Sequence, residues 1–102
     1  LTGVVVRCRP VGMLRMRDAA GEDTKLLAVP IDKLTSQYRG IRSPRDLPGA
    51  QLAAIRHFFE HYKDLERGKW VKVQGWLRAA AAKKEILDGV KRFRRAAGST
   101  AP

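Results

Sequence analysis

The chain has 102 residues, 44% of them hydrophobic and 30% charged, which suits one small globular domain and excludes a disordered one. No apolar run approaches the ~20 residues of a membrane helix, so a membrane is not expected as a partner. The formal net charge of +11 raises a polyanion as partner, but Lys83, Lys84, Lys91, Arg92, Arg94 and Arg95 crowd the end of the chain, as the solvated face of one basic helix would.

The opening Leu1-Thr-Gly-Val-Val-Val-Arg7 has no signal-peptide pattern and no initiator Met, and reads as a chain picked up partway along. Residues 3–9 are predicted to form a strand with Val4, Val6 and Cys8 on one face. Cys8 is expected to be a small buried residue rather than a nucleophile. A single cysteine excludes an intrachain disulfide and points to a reducing compartment, the cytoplasm. Pro10 offers no ladder donor and is predicted to interrupt the strand or sit at a bulge.

Residues 11–17 and 24–29 are predicted to be the two arms of a hairpin, with Pro30 ending the second. Between them lies Asp18-Ala-Ala-Gly-Glu-Asp-Thr-Lys25. As a turn, this stretch brings Asp18 and Asp23 near each other at one end of a sheet. Lys25 follows Asp23 by two residues and shares its strand face, while Glu22 is turned away. A carboxylate pair beside an ammonium could hold a divalent metal and a phosphate together. The same spacing also fits a solvated hairpin tip, because turn chemistry alone explains most such clusters.

Ser43-Pro44-Arg45-Asp46 reads as a capped single turn, with Ser at the N-cap, Pro at N1 and Asp at N3. A helix is predicted from about Pro48 to Glu66, with Gly68 as its stop. Leu52, Ile55, Phe59 and Tyr62 form its apolar stripe, widened by Phe58 and Leu65. His57 and His61 are i, i+4 neighbours, a metal-compatible spacing. No third ligand accompanies them, and packing or a subunit contact is favoured. Lys69 to Trp76 alternates as a strand, with Val71 and Val73 on one face, Trp70, Lys72 and Gln74 on the other, and Gly75 allowing a bulge. A second helix is predicted from Leu77 to Ala96, its stripe formed by Ile86, Val90 and Phe93 with Leu87 and Ala82. Gly98 to Pro102 is expected to be a frayed tail.

Five blocks occur in order: Cys8-Arg-Pro-Val-Gly12, Asp18 to Leu26, Ala28-Val-Pro30, His57-Phe-Phe-Glu-His-Tyr-Lys-Asp-Leu65 and Gly68-Lys-Trp-Val-Lys-Val73. Together they resemble the C-terminal portion of the soluble family I inorganic pyrophosphatases of bacterial type, over nearly all 102 residues. The resemblance implies an α+β fold, part of an OB-like five-stranded β-barrel with two flanking helices. It implies Mg2+-dependent hydrolysis of pyrophosphate to two orthophosphates, by a cytoplasmic enzyme that is commonly a homohexamer. It implies that Asp18 and Asp23 ligate metal, that Lys25, Tyr62 and Lys63 bind phosphate groups, and that the helix of His57 and His61 makes subunit contacts.

The family's Asp-x-Asp-Pro-x-Asp run, which supplies further metal ligands, has no match in residues 1–102. The chain is therefore expected to lack the N-terminal part of the domain and to hydrolyse pyrophosphate poorly by itself. Two other functions remain open to this composition. One is a basic OB-like nucleic-acid-binding module, disfavoured because most of the aromatics sit in apolar stripes. The other is a non-catalytic remnant that pairs with an intact subunit.

Overall fold

The computed structural model describes residues 2–100. Its centre is an 11-residue strand, β1 (Cys8–Asp18), flanked on both edges. On one edge lie β2 (Gly21–Glu22) and β3 (Lys25–Pro30), both antiparallel to it. On the other lies β4 (Val71–Arg78), also antiparallel. Two helices complete the α+β architecture, α1 (Gly49–His61) and α2 (Ala79–Thr100).

The alternation of β1 explains why it is central. Leu14 and Met16 point to one face and Val11 and Met13 to the other, and all four are buried. Leu14 and Met16 pack with Val73, Val71, Trp76 and Phe59 of α1. Removing buried side chains of this size typically costs about 2–5 kcal/mol. On the Val11–Met13 face, α2 packs across the sheet with Ala82 fully buried.

The hairpin of residues 11–17 and 24–29 forms in register, with Leu14 opposite Lys25 and Gly12 opposite Leu27. Pro10 does not break the strand: β1 runs through it, and the register shifts between Pro10 and Gly12. Gly75, at φ 143°, sits where the β1–β4 register shifts. The glycine tolerates a backbone conformation that side chains rarely adopt. The Ser43–Asp46 turn has the reciprocal cap expected of it: the Arg45 amide donates to Ser43 Oγ, and the Ser43 amide to Asp46 Oδ2. Its Pro44 packs directly over Gly12. Arg9 fastens the preceding loop by donating to the carbonyls of Tyr38 and Ile41.

Five expectations need correction. Residues 4–7 are not a strand, because no described strand pairs with them; the strand begins at Cys8, and Cys8 is exposed. Helix α1 ends at His61 rather than Glu66. The chain then turns back toward β4 through bonds from Asp64 N to His61 O and from Glu66 N to Lys63 O, which leaves Leu65 fully exposed. β4 continues to Arg78, because residues 76–78 pair with β1, so α2 starts at Ala79. At its other end α2 continues to Thr100, replacing part of the expected tail; Ala101 and Pro102 lie outside the described residues.

The sheet is open. The Cα radius of gyration is 16.0 Å, against about 13 Å for a compact domain of this length. Leu26, Leu87 and Phe93 are exposed, although each lies on an element whose pattern calls for a buried stripe.

Candidate functional site

The site is built at the far end of β1, where the strand turns into β2. Asp18 is the last residue of β1 and pairs with Gly21 across a two-residue turn. The Asp18 side chain shapes that turn itself: the Ala20 amide donates to Asp18 Oδ1 at 2.9 Å. This is the local bond by which an aspartate initiates a turn. Gly21 closes the turn at φ 120°. Asp23 follows β2, and its amide donates to Met16 O at 2.9 Å. That bond fixes Asp23 at the same end of the sheet as Asp18.

Each carboxylate meets an ammonium. Lys25 Nζ lies 3.1 Å from Asp23 Oδ1, so the two meet although Asp23 lies between β2 and β3 and not on a shared strand. Lys63 Nζ donates to Asp18 Oδ2 at 2.9 Å across 45 residues of sequence. The early end of α1 makes this second contact possible. Tyr62 caps the helix at φ −66° and ψ −14°, and the turn that follows carries Lys63 down onto the sheet.

Two aromatic rings support these lysines. Lys25 Nζ sits 5.5 Å from the centroid of the Phe59 ring, and Lys63 Nζ 5.4 Å from that of Tyr62. Tyr62 stacks on Phe58 and meets Phe59 edge-on, with centroids 5.8 and 5.5 Å away. Phe59 thus serves both the core and the site, which its position in a helical stripe does not reveal.

Hydrogen bonding sets the local electrostatics. The bond from Lys63, helped by the Ala20 amide, holds the Asp18 carboxyl below the usual carboxylate range. The same bond raises the Lys63 ammonium above the usual lysine value, and the Tyr62 side chain adds to it. Asp18 and Lys63 line a cavity of about 100 Å³ together with Ala19, Ala20, Lys69 and Trp70. In the sequence, Lys69 and Trp70 are marked for this site only by their place in the Gly68–Val73 block.

The two carboxylates supply hard oxygen donors, the type that Mg2+ takes. No group of three His, Cys, Asp or Glu residues able to hold a metal occurs among the described residues. Asp18 and Asp23 by themselves do not make up such a group. The rings of His57 and His61 lie 4.4 Å apart at a tilt of 42°, and His61 Nδ1 lies 2.8 Å from Asp64 Oδ2. Glu22 pairs opposite Arg17 and is exposed; Asp23 lies beyond the end of β2, and the two line one cavity rather than facing apart as strand alternation would have it.

Comparison with known proteins follows the same blocks. The family model described as inorganic pyrophosphatase matches residues 1–94. The inorganic pyrophosphatase of Yersinia pestis is 60% identical over 93 residues, covering 91% of this chain and 53% of the relative. That of Escherichia coli K12 is 60% identical over 90 residues, covering 88% and 51%. Among solved structures, the inorganic pyrophosphatase from Helicobacter pylori superposes with a TM-score of 0.87 at 42% identity, over 92% of this chain and 55% of that one. The one from Coxiella burnetii gives 0.86 at 49% identity, over 91% and 55%. The chain spans about half the length of the curated relatives it matches. The matched residues include the Asp18–Lys25 turn, the α1 helix with Tyr62 and Lys63, and the strand that follows, and on that ground the chain belongs to the inorganic pyrophosphatase family.

Proposed function

We propose that residues 1–102 form one wall of a Mg2+-dependent site that hydrolyses pyrophosphate to two orthophosphates. Asp18 and Asp23 are its metal ligands, and Lys25, Tyr62 and Lys63 bind the phosphate groups. One observation carries this reading: two carboxylate–ammonium pairs, at 2.9 and 3.1 Å, gathered at one end of the sheet from the Asp18–Lys25 turn and the end of α1. A solvated hairpin tip accounts for Asp23 and Lys25. It does not account for Lys63, which arrives from the end of a helix 45 residues away.

The division of labour follows from charge. Pyrophosphate carries several negative charges that repel a nucleophile. Mg2+ held by the carboxylates would neutralise part of that charge and acidify a water. Lys25 and Lys63 bind phosphate oxygens as point charges without competing for the metal as ligands. The Tyr62 hydroxyl adds a neutral donor from the helix end. These donors act where charge grows in the transition state, which is the main contribution a protein makes to phosphoryl transfer. The remaining carboxylates of the set come from outside residues 1–102, because the Asp-x-Asp-Pro-x-Asp run does not occur in them.

The same reading assigns the protein to the cytoplasm and to a homo-oligomer, a hexamer by family resemblance, with α1 at the subunit contact. The support for α1 is that it buries no residue fully and presents His57, Phe58 and His61 outward. No helix among the described residues is long and apolar enough to cross a membrane.

The test is phosphate release from pyrophosphate by the intact protein with Mg2+. Lys25→Met is expected to lower kcat/KM by about tenfold or more, which corresponds to the ~1.5–3 kcal/mol of a charge-assisted hydrogen bond. Unchanged kcat/KM in that variant would remove Lys25 from the phosphate site.

A further inference from the structure

The four charged groups of the site hold one another. Lys63 occupies Oδ2 of Asp18 while the Ala20 amide occupies Oδ1. Lys25 lies against Oδ1 of Asp23. The carboxylates assigned to the metal and the ammoniums assigned to phosphate are thus each other's partners before either ligand arrives. Neither group is solvated like a free surface charge: the side chains of Asp18 and Lys63 are 16% and 23% exposed.

We propose that the site is latched by these ion pairs and that Mg2+ and phosphate release the latch together. The inference rests on the functional reading above. A divalent cation approaching Asp18 competes with Lys63 for the same oxygen. Once displaced, the ammonium has lost its counter-charge and is free to take a phosphate oxygen. A phosphate that draws Lys63 away likewise exposes Asp18 to the metal. Each ligand therefore raises the affinity of the other through this chain's own side chains, in addition to any direct bond between them. Thermodynamic linkage requires the effect to be the same in both directions. The Asp23–Lys25 pair is the second half of the latch. Its lysine sits 5.5 Å from the Phe59 ring, as Lys63 sits 5.4 Å from that of Tyr62, so each ammonium keeps an aromatic contact beside its carboxylate.

The consequence separates a latch from a simple pair of binding sites. In a simple site, Lys63 affects only phosphate. In a latched one, Lys63 also opposes metal binding when no phosphate is present. Any nearby positive charge opposes a cation to some degree, and Lys69 provides the control for that. It lines the same cavity as Asp18, and its ammonium forms no ion pair among the described residues.

The experiment is Mg2+ binding to the intact protein by titration calorimetry without phosphate, in wild type, Lys63→Met and Lys69→Met. The lysine Nζ resonances of the wild type are followed by NMR as Mg2+ is added. Lys63→Met is expected to tighten Mg2+ binding by about fivefold, the upper end for a partly exposed pair. Lys69→Met is expected to change it by less than half as much on a logarithmic scale. The Lys63 ammonium signal is expected to shift on adding Mg2+ alone. Equal effects of the two substitutions, or an unmoved Lys63 signal, would overturn the latch and leave the site assignment standing. A Mg2+ affinity left at the wild-type value by Asp18→Asn with Asp23→Asn would overturn the site assignment and the latch with it.

Discussion

Gly12 provides the sharpest structural test of the sheet that carries the site. It lies in β1, opposite Leu27 on one edge and Arg78 on the other. A Cβ built there falls 2.8 Å from Leu77 O and 2.8 Å from Pro44 Cδ, and closer still to Pro44 Cγ. Leu77 O belongs to the backbone of a paired strand, and Pro44 is fixed in a capped turn, so neither neighbour yields cheaply. Gly12→Ala therefore forces β1, β4 and the Ser43–Asp46 turn apart. Overpacking of this kind costs about 1–3 kcal/mol. The stiffer unfolded chain returns about 0.4–1 kcal/mol, leaving a net loss of up to about 2.5 kcal/mol. Urea unfolding of the intact protein is the assay, with a lower midpoint at unchanged m-value as the expected result. The clash lies six residues along β1 from Asp18, so Mg2+ affinity measured well below the new midpoint should stay at the wild-type value. An unchanged or raised midpoint would refute the close packing of Pro44 on Gly12.

Two further predictions concern the site itself. In Mg2+-free buffer the Asp18–Lys63 pair stabilises the fold only within a pH window. The Asp18 pKa is lowered from 3.8, so its contribution is fully present above that value and is lost as pH falls through the folded pKa. The Lys63 pKa is raised from 10.5, so its contribution is fully present below that value and is lost as pH rises through the folded pKa. The stability gap between wild type and Asp18→Asn should therefore be flat from about pH 5 to 9 and shrink on both sides. A gap that grows below pH 4 would contradict the sign of the shift. Separately, residues 1–102 expressed alone should release no phosphate from pyrophosphate above background in Mg2+, since they hold only two of the carboxylates. Sustained turnover by that fragment would show that the ligand set is complete without outside residues.

Much of this arrangement is legible in the sequence because it is local. The Asp18–Lys25 turn follows from strand alternation and a glycine, and the Ser43–Asp46 cap from side chains that bond within four residues. The contact between Asp23 and Lys25 spans only two residues of sequence. The Lys63–Asp18 bond was not legible, because it depends on where α1 stops. Its apolar stripe continues on paper to Leu65, and the pattern alone carries no reason for the helix to end at His61. The reason is tertiary: the chain must turn back to start β4 beside β1. Strand assignment failed at Val4–Val6 for a related reason. Those residues have strand-forming side chains, but a strand also needs a neighbour, and no described strand pairs with them. Phe93 and Leu87 show the limit of periodicity on α2: it identifies an apolar face correctly and says nothing about what covers it.

If Asp18 and Asp23 hold the metal while Lys25 and Lys63 hold phosphate, Asp23→Asn, an isosteric change that removes one hard anionic ligand, should show it in a Mg2+ titration of pyrophosphate hydrolysis by the intact protein. Most activity should be lost, with a weaker dependence on Mg2+ in what remains. Wild-type rates with an unchanged Mg2+ activation curve would contradict that assignment.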